Sequence, residues 1–338
     1  MKKTLKAPAK INLCLKVNKL RDDGYHDLTM IMQQVSLFDT IEFEIISKND
    51  FDLFKFLPKF EVPKIDVPIK LPELPKLDIE FLNQFSTKKF DYNSDDQINL
   101  KCNHSYIPVD DRNLLVKVIR YIFNRYNISD KIYVYLKKMI PTSGGLGGGS
   151  SDAATMLLFL NRHYKLNLSI GELSDIAAKF GSDIPFFIHK RESVCEGRGE
   201  IIRELKPFNN YYILLATPNV RVPTKEIFTR LDNYEIPKDQ SIEEMAKFNR
   251  AIEGISKRNL KLLSDNLFND LEIVTEAMFD RVGVFKKRIL ELGAMKSLMS
   301  GSGPTVFGIF NSYFKAVNCK NIMKRENPDS FIFVARPL

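Results

Sequence analysis

Between Pro141 and Ala154 the chain reads PTSGGLGGGSSDAA, with five of its 16 glycines packed into positions 144–149. Glycine lacks a Cβ, so successive backbone N–H groups can turn toward one point and close on an anion. A helix-forming run, SDAATMLLFLNRHY, follows at once. The first turn of a helix carries unpaired N–H groups and a partial positive charge, so loop and helix together make a phosphate cradle. Ser150 and Ser151 add hydroxyls able to cap the helix, bind phosphate or reach a metal. Asp152 is expected to cap or to stay outside, because an inward carboxylate repels phosphate. A flexible linker is the plain alternative, but linkers do not join a strong strand directly to a well-formed helix. A dinucleotide loop needs G-x-G-x-x-G, and its last position falls here on Ser150 or Asp152. A P-loop needs lysine after its glycines, and none follows. The cradle reading stands.

The elements that must hold such a cradle are legible on both sides. KIYVYL at 131–136 alternates as a strand leading into it. A helix is expected from about Arg112 through NLLVKVIRYIFNRY, after the strand INLKC. SIGELSDIAAKF opens on a capping box, Ser169 with Glu172, and stops at Gly181. At the N-terminus Ile11, Leu13, Leu15 and Val17 alternate with Asn12, Cys14, Lys16 and Asn18. That pattern predicts a half-buried strand with Lys10 on its solvated face. RDDGYHDL is a turn, MIMQQVSLFDTIEFEII a strand, and YYILLATP a buried strand. Alone, Asp183 in GSDIPFF reads as a turn or cap residue.

From about Lys48 to Asp96 prolines recur at 58, 63, 68, 72 and 75. Proline at that density predicts an irregular or extended insertion. Its flanks, IEFEII and QINLKC, both read as strands, so it is expected to leave from one hairpin-like connection. Strands and helices mix without regular alternation, which makes α+β the class. A chain of 338 residues exceeds one ordinary core, and two domains are expected, 1–190 and 191–338.

Composition narrows the function. No apolar run is long enough to span a bilayer. Cys14, Cys102, Cys195 and Cys319 are scattered without a CxxC pair, which argues against a disulfide framework or zinc site. Net charge is +8, but the lysines form no dense block beside stacking aromatics, so no nucleic-acid partner is expected. The start is basic but lacks an apolar signal-peptide core, and a cytoplasmic setting is expected. A plastid stroma, with a transit peptide removed, is the alternative.

The glycine loop resembles the nucleotide loop of the GHMP superfamily, which includes galactokinase, homoserine kinase, mevalonate kinase and phosphomevalonate kinase. KAPAKINLCL and MSGSGPTVFGIF, the latter from Met299 to Phe310, lie where that family has its other two motifs. APAKINLCL, DGYHDL, GLGGGSSDAA, GSDIPFF and PNVRVPTKEIF further resemble the branch that phosphorylates the 2-hydroxyl of a cytidylyl methylerythritol in the non-mevalonate isoprenoid route. The resemblance implies a two-domain fold with the active site in the cleft between domains, and ATP with Mg²⁺ as cofactors. It places Lys10 and Asp183 beside the acceptor hydroxyl, the aspartate accepting or orienting the proton and the lysine stabilising charge. It assigns ATP to Pro141, Thr142, Ser143, Gly144, Gly145, Leu146, Gly147, Gly148, Gly149, Ser150 and Ser151, with Asn113 and Lys138 near the adenosine. Asn12, Tyr25, His26, Thr224 and Phe228 would contact the acceptor: Tyr25 and Phe228 on opposite faces of the cytosine, His26 hydrogen-bonded to it. Metal ligands and oligomeric state stay unassigned. Mevalonate and homoserine kinases are the rival enzymes, but their substrates have no base to stack. A regulatory protein that lost turnover is the rival outside enzymes, against which both Lys10 and Asp183 are retained. Ser143, in place of a small glycine or alanine, and His189-Lys190, in place of a glycine-rich turn, depart from the family pattern.

Overall fold

The computed structural model describes residues 1–47, 90, 96–189, 191–234 and 238–338, without the side chains of 238–240. The expected insertion therefore lies almost wholly outside the described residues.

β1 (Lys2–Leu20) and β2 (His26–Ile46) pair antiparallel across the turn at Arg21–Tyr25. Alternation made β1 half-buried; instead every residue from Ala9 to Val17 is buried. Ala7, Leu15 and Val17 join one apolar core, and Ala9, Ile11 and Leu13 join another. β1 is thus a wall shared by two cores. Lys10, Asn12 and Lys16 are buried with it, so Lys10 is not on a solvated face.

β3 (Ile98–Cys102), α1 (Leu114–Arg125) and β4 (Lys131–Lys137) form a strand–helix–strand unit in which β3 and β4 are parallel neighbours. α1 buries Leu115, Val116, Val118, Ile119, Ile122 and Phe123, a stripe at helical spacing. The far half of β2 pairs antiparallel with β4, through Thr40–Ile46. β2 and β3 therefore flank β4 on opposite sides and do not pair, which corrects the hairpin-like connection expected between them. α2 (Gly148–His163) packs on α1 and on α4 (Ile184–His189), with α3 (Ile170–Ala178) alongside. The capping box at α3 is made in both directions by Ser169 and Glu172.

β5 (Ser193–Gly197) pairs with the near half of β2 and with β6 (Ile201–Glu204). These short polar strands carry no alternation signal, and the first sheet extends through them past residue 190. The change of sheet falls between Glu204 and β7 (Tyr212–Thr217). Then come α5 (Thr224–Leu231), α6 (Lys238–Ser256), α7 (Leu260–Asp265), β8 (Phe268–Asn269), α8 (Glu272–Met278), α9 (Asp280–Glu291), β9 (Lys296–Met299), β10 (Val306–Phe310), α10 (Tyr313–Glu326) and β11 (Phe331–Ala335). The first sheet runs β3-β4-β2-β1-β8 with β5 and β6 off β2, and the second runs β11-β7-β10-β9. β8 returns from the second half of the sequence to lie parallel to β1 at Cys14 and Leu15. The architecture is α+β with two sheets, interlocked rather than cut at one point.

Candidate active site

α2 starts inside the glycines, not after them. Gly147 is its N-cap, in the left-handed region at φ 68°, and it offers no side-chain cap. Ser150 and Ser151 sit in the first turn, where Ser151 N–H donates to Gly147 O at 2.9 Å, so neither serine caps the helix. The glycines are required by what presses on them. A Cβ at Gly145 would lie 2.0 Å from the Ser300 carbonyl oxygen, and one at Gly147 would lie 3.1 Å from Lys10 Cγ. Lys10 N–H donates to Leu146 O at 2.9 Å, and Ser300 Oγ donates to Gly145 O at 3.0 Å. Ser300 Oγ also accepts the Asn12 N–H at 3.3 Å. The three sequence motifs, far apart in the chain, are thereby bonded into one site.

Below the loop Lys138 Nζ bridges Asp39 and, at 2.7 Å, Asp152. Asp39 Oδ1 also accepts the N–H groups of Met139 at 2.6 Å and Ile140 at 2.9 Å. Burial alone depresses the Lys138 ammonium, but the Asp152 and Asp39 carboxylates outweigh it and hold its pKa above the usual lysine value. Burial pushes Asp152 up to about 7 against the pull of Lys138. Asp152 therefore neither caps nor faces outward; it is buried as an anchor between the loop and β2. Lys138 is committed to that anchor and is not free to grip a phosphate. Asn113 is the N-cap of α1, with Oδ1 accepting the Leu115 N–H at 3.0 Å and Nδ2 donating to Pro108 O at 2.8 Å.

Two cavities meet at the loop. One, of about 370 Å³, is lined by Asn113, Lys138, Pro141, Thr142 and most of the glycine loop. The other, of about 870 Å³, is lined by Lys10, Asn12, Tyr25, His26, Asp183, Thr224 and Phe228. Ser143, Gly145, Gly147 and Ser150 face both. Leu146 and Ser151 are buried and line neither. The expected residues thus divide between two cavities with a glycine wall between them.

On that wall Lys10 Nζ donates to Asn12 Oδ1 at 2.6 Å and lies 3.5 Å from Asp183 Oδ2. Register shifts in the β1–β2 ladder at Pro8/Ala9 and Asn12/Cys14 bracket these residues. Such bulges re-aim side chains, here turning Lys10 and Asn12 together toward the cleft. Asp183 immediately precedes α4, whose buried Ile184, Pro185, Phe186 and Phe187 fix it. At the far end, His26 stacks on Phe228 with ring centroids 5.0 Å apart at 26°. This departs from the expected slot, because the exposed face of Phe228 is covered by His26 rather than left open opposite Tyr25. Tyr25 is exposed, with the Arg198 guanidinium 5.2 Å over its ring. Thr224 Oγ1 bonds Ser302 Oγ at 2.8 Å.

Arg198, Asp232, Lys225, Ser300 and Ser302 belong to the cleft or its frame and were missed in the sequence. Arg198 had a signal: GRG sets it between two glycines, Gly197 at φ 71° and Gly199 at φ 119°. Asp232 had a weaker one, its spacing of four after Phe228 on a helix. Among the described residues no three His, Cys, Asp or Glu side chains form a metal-binding group, and no helix is long and apolar enough to cross a membrane.

The family described as GHMP kinases N terminal domain matches residues 113–191, and GHMP kinases C terminal matches 251–329. A 4-diphosphocytidyl-2-C-methyl-D-erythritol kinase of Clostridium botulinum (strain Alaska E43 / Type E3) is 35% identical over 97% of this chain and 98% of its own. A crystal structure of a 4-(cytidine 5'-diphospho)-2C-methyl-D-erythritol kinase has the same fold, with TM-score 0.69 and 23% identity over 98% of this chain and 99% of that one. The homoserine kinase of Cytophaga hutchinsonii ATCC 33406 shares it at TM-score 0.66 and 15% identity, over 99% of this chain and 94% of its own. The chain belongs to the 4-diphosphocytidyl-2-C-methyl-D-erythritol kinase family of the GHMP kinases.

Proposed function

We propose that this enzyme transfers the γ-phosphoryl group of ATP to the 2-hydroxyl of 4-diphosphocytidyl-2-C-methyl-D-erythritol. The observation that carries the reading is the glycine wall shared by the two cavities, with Lys10 and Asp183 beside it on the larger side. Adenosine enters the smaller cavity past Asn113, and the phosphates lie along the loop, where backbone N–H groups and the N-terminus of α2 face them. Asp183 orients the acceptor O–H and takes its proton as the oxygen attacks the γ-phosphorus. Lys10, held by Asn12, stabilises charge on the acceptor oxygen and the moving phosphoryl group, and the bond to the β-phosphate oxygen of ADP breaks. Mg²⁺, when bound, would supply positive charge to offset that of the phosphates. The local donors suit an ion that arrives on the nucleotide: Ser150 on the wall and Asp183 across it are oxygen donors, and among the described residues no group of three His, Cys, Asp or Glu side chains competes with the phosphates.

The far end of the larger cavity suits a cytosine. Tyr25 supplies an aromatic face, Phe228 the ring on which His26 lies, and His26 a polar edge. A tertiary alcohol is crowded and weakly acidic, so anchoring the remote base provides alignment that the reacting group itself cannot. The setting we propose is the cytoplasm, which fits four free cysteines. The test is ATP consumption by the purified enzyme with cytidylyl methylerythritol, mevalonate or homoserine as acceptor. Turnover with the first alone is expected; turnover with either of the others and not the first would overturn the reading.

A further inference from the structure

His26, Phe228 and Asp232 form one unit at the far wall of the larger cavity. Phe228 lies within α5 and Asp232 caps its C-terminus, four residues on, so both face the same side. The His26 ring is held twice, by stacking on Phe228 and by a contact of 2.6 Å between its Nε2 and Asp232 Oδ1. Its Nδ1 takes no hydrogen bond among the described residues. A neutral imidazole has one N–H and one lone pair, and the partner of one nitrogen decides which is which. A carboxylate oxygen accepts at Nε2, so in the neutral ring Nε2 carries the proton and Nδ1 keeps the lone pair.

We propose that Asp232 is a positioning residue that sets base specificity: it fixes His26 as the Nε2–H tautomer, so Nδ1 offers an acceptor to the exocyclic amino group of cytosine. Uracil carries a carbonyl oxygen at that position. Two acceptors facing each other in a half-closed cavity leave both unpaired, and a site built to hydrogen-bond a group rejects the analogue that lacks it. Asp232 does this without touching the base. The inference rests on the cytidylyl reading above.

The experiment compares kcat/KM for the cytidylyl acceptor and its uridylyl analogue in the wild type, Asp232→Ala and Asp232→Glu. The wild type should prefer cytosine by at least about thirtyfold, a modest share of what a polar site can reach. Asp232→Ala should bring the preference below about threefold, chiefly through KM of the cytidylyl acceptor. Asp232→Glu, which restores the carboxylate, should recover much of it. An equal loss for both bases would show a merely structural role and overturn the proposal. Two-bond ¹⁵N–¹H NMR of the histidines, with His26 assigned by its Asn variant, reads the tautomer directly. Nε2–H in the wild type and a mixture in Asp232→Ala are expected. An imidazolium or an Nδ1–H tautomer in the wild type at pH 8 would sink the idea. If the wild type turns over neither acceptor, the substrate reading fails by itself, and the NMR result still decides what Asp232 does to His26.

Discussion

Lys10 is buried to 4% exposure, yet among the described residues its ammonium has only Asn12 and, more loosely, Asp183 for polar company. A charge held so is placed for a negative partner that arrives later. Asp183→Asn should lower kcat by at least about a hundredfold, the low end for a positioned proton acceptor, while the acceptor still binds. Steady-state kinetics with both substrates measures it, and near-normal turnover would remove Asp183 from this role. Lys10→Ala should cost kcat similarly. Tyr25→Ala and Phe228→Ala act at the other end of the cavity. Each should raise KM for the acceptor by the equivalent of about 1–3 kcal/mol and leave KM for ATP nearly unchanged. For Phe228 the loss arises because His26 no longer has a ring to lie on. A fall in ATP affinity instead would place these aromatics on the wrong side of the glycine wall.

The connection from β2 to β3 is the clearest case at the level of elements. Ile46 pairs with Lys131 on one side of β4, and Ile98 pairs with Ile132 on the other. The two ends are separated by two strand spacings, about 10 Å. With Ser47 and Gln97 kept in place, a two-residue Gly-Asn turn reaches only about 11 Å and would have to run fully extended across the start of β4, so replacing 48–96 by it should unfold or aggregate the protein. An eight-residue Gly/Ser/Asn linker crosses without strain. Because closure entropy grows only logarithmically with length, that variant should keep kcat and lie within about 1–2 kcal/mol of the parent. Urea denaturation of both variants decides this, and a stable two-residue variant would contradict the strand order. Sequence made the helices and the glycine loop legible because capping boxes and missing Cβ atoms are local signals. Strand order is not local: INLKC and IEFEII look like hairpin partners until β4 is placed between them. Burial of Lys10 was illegible for the same reason. Alternation reports one covered face, and the second cover comes from a sheet formed two hundred residues later. The Lys138–Asp39–Asp152 anchor joins Asp39 to a lysine 99 positions on, and that contact had no local signature.

Across the whole molecule polar groups tie the first sheet to the second half of the chain. Val17 N–H donates to Asp270 Oδ2 at 2.8 Å, Lys16 pairs with Glu244 at 2.7 Å, and the C-terminal Leu338 N–H donates to Gln34 O at 3.0 Å. Glu192 lies under the segment that leaves the first sheet for the second. Its carboxylate accepts only the Phe208 N–H, at 3.4 Å, while Oε1 and the nearby buried Tyr211 hydroxyl have no partner among the described residues. Burial, against only that one weak bond, pushes the Glu192 carboxyl up to about 8. Burial likewise raises Asp152 to about 7 and Asp270 to about 6. In each case the folded state holds a proton that the unfolded chain has already lost. The stability these groups contribute is therefore complete at pH 4 and fades as pH rises through about 6, 7 and 8 in turn. Glu192→Gln keeps the shape and removes one titration. Its stability relative to the wild type should grow by about 2–4 kcal/mol between pH 5 and pH 8, from 1.36 kcal/mol per pH unit discounted for relaxation. Asp152 and Asp270 stay in place, so the variant should still lose some stability as pH rises, with a shallower slope above pH 7. Urea unfolding of both proteins at pH 5, 6, 7, 8 and 9 gives the two curves. Parallel curves would mean that Glu192 is ionised within the fold, and that the seam between the sheets carries a buried charge rather than a buried proton.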